Sequence, residues 1–164
     1  MVLVRARSAF SLGVTAALLG LGLSGSAHLP AQATTPAVQS GWVRECAGKA
    51  FCFLRPASLV LKPNQVIDSL AAEYHSDTLV LRYDYGRYPS SLSHLVNPRE
   101  EKISVDGRAA RAIYSESEIV LVVPKVHEAG AYSPQLTMHL IFKARTSAEL
   151  AGQVFNSIAF MPPR

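Results

Sequence analysis

The sequence is poor in the patterns that announce catalysis or metal binding. Its two cysteines lie six positions apart rather than in a Cys-x-x-Cys pair, no Gly-x-Ser-x-Gly occurs, and no two histidines stand in a His-x-x-x-His arrangement. Those absences remove the common redox, nucleophile-elbow and zinc-helix signatures. Charge is sparse too, at 17% of residues, which argues against a disordered charged tail. Cations and acids are interleaved from Arg44 to Arg164, so there is no concentrated basic face of the kind that neutralises many phosphates. A nucleic-acid partner is not expected.

What is present begins with an export pattern. Arg5 and Arg7 form a basic start, residues 9–23 are uncharged and largely apolar, and Ala31-Gln32-Ala33 carries small residues where a signal peptidase reads them. Residues 1–33 are therefore expected to be a signal peptide, with cleavage after Ala27 as a second option. The apolar stretch is shorter than the ~20 residues needed to span a bilayer comfortably. No second long apolar run follows, so no stable membrane span is expected after processing. Removing the leader leaves 14 cations against 12 acids. Residues 34–41 read as a disordered tail, and residues 42–164 as one domain, large enough for a single core.

Export to a periplasmic or extracellular space makes a disulfide sensible, and Cys46 and Cys52 are the expected partners. Six extended steps would span ~20 Å, whereas bonded cysteines need their Cα atoms within ~7 Å. The chain must reverse between them, and Ala47-Gly48-Lys49-Ala50 offers the turn. Redox work and metal ligation are the alternatives.

Strand signals dominate the rest. Residues 42–54 read as a small hairpin, and the segment 58–61, bracketed by Pro56 and Pro63, as an edge strand. In residues 78–86, Leu79, Leu81, Tyr83 and Tyr85 alternate with Thr78, Val80, Arg82 and Asp84, which predicts a strand with the first set facing the core. A loop follows over 86–98. Asp106-Gly107 predicts a two-residue hairpin turn, while Glu100-Glu101-Lys102 reads as a solvated charge run in a polar connection. Residues 118–126 are apolar on both parities and predict a strand buried on both faces.

In the next strand Leu136, Met138, Leu140 and Phe142 alternate with Thr137, His139 and Lys143, the pattern of a half-exposed strand. Thr146-Ser147-Ala148-Glu149 fits a capping box with Thr146 at the N-cap. Leu150, Val154 and Phe155 then supply one apolar helix face, and residues 157–160 a last short strand. The expected class is α+β, a mainly antiparallel sheet with a C-terminal helix packed on one face.

The Tyr-Asp-Tyr-Gly strand end, the Ile-Ser-Val-Asp-Gly hairpin, two long strands and a helix running into Ser157-Ile158-Ala159-Phe160 together resemble small exported proteins with a PsbP/Mog1-like fold, over residues 66–161. That resemblance implies an architecture and no functional residue, because such a fold hosts different functions.

Candidate sites are few. Residues 83–89 combine three tyrosines with Asp84 and Arg87 where a strand enters a loop, a composition suited to recognition. Strand parity assigns Tyr83 and Tyr85 to the core and leaves Arg87 and Tyr88 for a ligand. His127, beside a glycine-containing loop, is a further binding candidate. His139 shares a strand face with Thr137 and Lys143, which reads as an imidazole on a solvated face. No catalytic residue, metal ligand or cofactor is assigned; a metal site would have to be assembled by the fold. The expected function is non-enzymatic binding of an envelope or extracellular component. A small-molecule or lipid-binding module is the alternative, and a hydrolase a third reading. An enzyme would bring His127 or His139 against a carboxylate or hydroxyl in a cleft, whereas an interaction module would present a tyrosine-bearing patch.

Overall fold

The computed structural model describes residues 40–63, 69–88, 90–127 and 133–162. The leader expected over residues 1–33 lies outside them, as does most of the tail expected up to residue 41. Ten strands and one helix follow in the order β1 (Trp42–Ala47), β2 (Phe51–Pro56), β3 (Val60–Lys62), β4 (Leu70–His75), β5 (Leu79–Gly86), β6 (Arg99–Val105), β7 (Arg108–Tyr114), β8 (Glu118–Val123), β9 (Gln135–Phe142), α1 (Ala148–Asn156) and β10 (Ala159–Phe160). These form a seven-stranded sheet in the order β3-β4-β5-β9-β8-β7-β6 and a three-stranded sheet β1-β2-β10. Every pairing between them is antiparallel. The domain is thus mostly antiparallel sheet, with one short C-terminal helix packed on it.

The small sheet begins as the hairpin expected from residues 42–54. Cys46 stands directly opposite Cys52, their Cα atoms are 4.0 Å apart and a disulfide joins them. Gly48, at φ +55°, opens the reversal, and Ala50 N–H closes it on the Ala47 carbonyl at 3.0 Å. Phe51 and Phe53 alternate with Cys52 along β2. Both rings meet Tyr83 of β5 edge-on, at 5.2 and 5.8 Å. The small sheet therefore lies against the same face of the large sheet that Leu79, Leu81 and Tyr83 present, and those three are buried as the alternation predicts.

Helix α1 completes that core with Ala151, Val154 and Phe155. It starts one residue later than the Thr146 box suggests. Ser147 is the N-cap, its Oγ accepting from Leu150 N–H at 3.1 Å. The Thr146 hydroxyl is occupied elsewhere, donating to the Glu116 carbonyl at 2.6 Å in the β7–β8 turn. At the far end Ser157 Oγ accepts from Leu54 N–H at 2.7 Å, stitching the helix to β2.

Three further features bear on the sequence expectations. Asp106 and Gly107 take φ of +49° and +75°, the left-handed pair that a tight two-residue hairpin requires. Glu100, Glu101 and Lys102 do not lie in a connection but in the exposed edge strand β6. Charges suit an unpaired edge because they discourage other chains from adding to it. Strand β8 is buried along its whole length. So, against expectation, is most of β9: Thr137 and His139 are each 2% exposed.

Candidate functional site

Burial of β9 on both faces needs a cover on the side facing away from the main core, and the loop between β5 and β6 provides it. Leu92 and Leu95 pack against Ile113, Val120 and Val122, a second apolar cluster drawn from β7, β8 and the loop. A Leu95 N–H to Leu92 carbonyl bond of 3.1 Å tightens the loop at this point, and Asn97 takes a left-handed φ of +45° near its end. The loop is thus seated on the sheet by its own leucines.

Beside that apolar seat lies a polar one. Register places Val120 opposite His139 and Glu118 opposite Ile141. Residues on one parity of antiparallel strands share a face, so Glu118 and His139 project to the same side. Glu118 is 6% exposed. One carboxylate oxygen, Oε1, is in close hydrogen-bonding contact with His139 Nδ1. The other, Oε2, lies 3.0 Å from Nε2 of His94, which reaches down from the covering loop. The two imidazole rings lie 27° from parallel with centroids 6.2 Å apart. His94 is the accessible member, with 46% of its side chain exposed.

The electrostatics follow from this bracketing. Burial by itself would raise the Glu118 pKa, but the hydrogen bonds from His139 and His94, reinforced by their positive charge when protonated, hold it below the ordinary carboxylate value. His139 is less well provided for. Its Nε2 is buried without a partner, and the only other such side-chain atom among the described residues is Asp84 Oδ1. Asp84 belongs to the same sheet face, opposite Thr137 on β9. The covered face therefore holds polar capacity that protein groups do not use up.

This placement corrects the reading of His139 as an imidazole on a solvated face. Alternation of polar and apolar residues identifies two faces but not what covers each, and here a loop removes the second face from water. His94 and Glu118 were not singled out from the sequence, and no pattern marks them: residues 94, 118 and 139 meet only because β8 and β9 are neighbours and the loop crosses them.

The sequence candidates lie elsewhere. Arg87 and Tyr88 leave β5 exposed, Tyr88 at 73%. His127 is half-buried at a hollow of 530 Å³, together with Tyr85, Lys49 and Met161. Its carbonyl accepts from the Ser133 hydroxyl. None of the three joins the Glu118 cluster. His139 does meet a carboxylate, the contact expected of an enzyme, but the pair is buried on the sheet and lines none of the hollows described. Among the described residues no hydroxyl or thiol hydrogen-bonds to either imidazole; the nearest candidate in register, Thr137, is bonded by Gln135 at 3.1 Å. Both cysteine sulfurs are consumed in the disulfide.

Comparison with protein-family models, curated proteins and solved structures gave no match. Among the described residues no helix is long and apolar enough to cross a membrane.

Proposed function

We propose that this chain is an exported α+β domain that works by binding a protein of the envelope or extracellular space, with the loop after Gly86, Arg87 and Tyr88 at its start, as its contact surface. The observation that carries this reading is the contrast within one loop. Leu92 and Leu95 brace it from beneath, while Tyr88 and Val96 stand 73% and 68% exposed. A braced loop with outward apolar groups loses little conformational freedom on docking, which is what recognition surfaces require. Periplasmic or extracellular residence is supported by the leader pattern of residues 1–33 and is compatible with the Cys46–Cys52 disulfide. The PsbP/Mog1-like assignment belongs to the same proposal and rests on element order.

The test replaces Arg87 and Tyr88 with alanine together and compares capture of partners from an envelope extract. The expected result is loss of the captured protein with the fold retained by circular dichroism, and Tyr88→Ala alone should weaken capture as well; an unaltered set of captured proteins refutes the reading. The hollow beside His127 favours a second reading, a small-molecule or lipid site, because Tyr85 and Met161 give it apolar wall and His127 and Lys49 give it polar groups. Loss of a bound small molecule on His127→Ala, with protein capture intact, would favour it instead.

A further inference from the structure

We infer that His94, Glu118 and His139 form a binding site for a divalent transition-metal ion, of the Zn²⁺ or Cu²⁺ class. Each offers one ligand atom, and these atoms all lie within 4.8 Å of one another. Ligand atoms sharing one zinc ion stand ~3–3.5 Å apart, given bonds of ~2.0–2.2 Å. The His94 Nε2 to Glu118 Oε2 distance of 3.0 Å is already in that range, and the His139 ring touches the other carboxylate oxygen. Closing the remaining distance asks for a small swing of a side chain. His94 is the one able to make it, since nearly half of it is in solvent.

The chemistry of the set selects the ion. Two imidazole nitrogens and one carboxylate suit borderline cations, whereas Mg²⁺ and Ca²⁺ want oxygen ligands throughout and Cu⁺ wants sulfur. No thiolate is available here, because both cysteines are bonded to each other, and Met138 lies in the main core on the opposite face of β9. Three protein ligands with one on the solvent side leave a further coordination position for water or an external group.

Two observations separate this cluster from ordinary surface polarity. Glu118 and His139 are 6% and 2% exposed beside an apolar cluster, where an isoleucine or valine would serve packing better. Hydrogen bonding within the protein also fails to satisfy His139, whose Nε2 is buried with no partner. Buried polar groups are satisfied almost everywhere in native proteins, so His139 is not placed here to complete an internal hydrogen-bond network; the nitrogen it offers an ion is Nδ1, which faces Glu118, and not the unpartnered Nε2. A second His–Glu pair, His75 with Glu73 on β4, lacks both features. Each side chain is one-third exposed and no third ligand joins them among the described residues. It serves as the internal control.

The inference is tested on the full chain, untagged and stripped with a chelator, by calorimetric titration with ZnCl₂ and separately with CuSO₄, with MgCl₂ and CaCl₂ as comparison ions. Saturable binding of one Zn²⁺ or Cu²⁺ per chain is expected, with neither Mg²⁺ nor Ca²⁺ competing. His94→Ala and Glu118→Gln should each weaken binding by about tenfold or more, and His75→Ala should not. Because His139→Ala alters a buried position and its effect on folding would confuse the result, the contribution of His139 is read from the unaltered protein. The Cu²⁺ paramagnetic resonance spectrum should show coupling to two imidazole nitrogens, falling to one in His94→Ala. Absence of saturable Zn²⁺ and Cu²⁺ binding overturns the inference. So does binding that survives both His94→Ala and Glu118→Gln, or a copper spectrum without nitrogen coupling.

Discussion

Replacing Glu118 and His139 together with leucine is expected to harm the fold less than replacing either one. In Glu118→Leu, the His139 ring, only 2% exposed, loses its single hydrogen-bond partner. A buried donor left unsatisfied costs about 1–3 kcal/mol. His94 also loses the carboxylate, but its half-exposed ring turns to water at little cost. In His139→Leu the Glu118 carboxylate keeps only His94, and breaking a buried pair from either side is costly. Each single change should therefore destabilise by about 2 kcal/mol. With both changed, no polar group is stranded, and two leucines join the apolar seat formed by Val120, Ile113 and Leu92. The double variant should stand within about 1 kcal/mol of the original protein, because well-packed apolar replacements of buried ion pairs are often neutral or better.

The measurement is a double-mutant cycle by urea and thermal unfolding with chelator present. The singles should lower the melting midpoint by roughly 6–10 °C, since 1 kcal/mol corresponds to about 3–5 °C at this chain length. The cycle should give a coupling of about 3 kcal/mol. Strict additivity, with the double variant near 4 kcal/mol below the original, would refute the reasoning. It would mean that the carboxylate and imidazoles are not each other's main partners, or that the packing beneath the loop does not accept leucine at these positions.

Three other outcomes follow from the geometry. The Glu118 pKa is lower folded than unfolded, so the stability it contributes is present above its ordinary value of 4.5 and is lost as pH falls through the lowered folded value. Urea midpoints should drop on acidification below about pH 4.5, and Glu118→Gln should flatten that drop. Mass measurement should show two hydrogens fewer than the free-thiol chain, and Cys46→Ser with Cys52→Ser should cost about 2 kcal/mol for a loop this short; ready thiol labelling of the native protein would contradict it. Gly107→Ala should cost about 1 kcal/mol by thermal unfolding, purely from backbone strain at φ +75°, since an added Cβ there meets nothing within 4 Å.

Local rules were sufficient wherever the signal and its cause lay within a few residues. Asp106-Gly107 needs only its own left-handed preference to specify a hairpin, and residues 118–126, with aliphatic side chains on both parities after Glu118, announce a strand with both faces covered. Cys46 and Cys52 are close enough in sequence for chain reach to pair them. The candidate site was not legible, because His94, Glu118 and His139 are separated by 24 and 21 positions and their meeting depends on strand order. β8 must pair with β9 and the loop must cross back over both, neither of which any short segment records. The N-cap shows a milder form of the same limit. Thr146 and Ser147 are both able to cap α1, and what decides between them is the Glu116 carbonyl, thirty positions away, which takes the threonine hydroxyl.

The position of the loop gives the cluster its consequence for binding. Leu92 and Leu95 alone provide an apolar attachment to the sheet, and the alternation of β8 would carry another valine at position 118 without disturbing the register. A buried carboxylate bracketed by two imidazoles is thus not needed to hold the loop down, and it brings a desolvation cost that an apolar residue would avoid. Its presence makes one of the two attachments conditional on what occupies the cluster. The leucines pack on the sheet whether or not the cluster is filled, whereas an ion shared with Glu118 would hold His94 more tightly than its hydrogen bond does. Val96 lies two residues beyond His94 and Tyr88 six before it, so the exposed groups of the proposed contact surface are the ones whose placement such an ion would sharpen. Partner affinity that rises on adding Zn²⁺ to the unaltered chain but not to His94→Ala would join the two sites into one device. Affinity indifferent to Zn²⁺ in both would separate them.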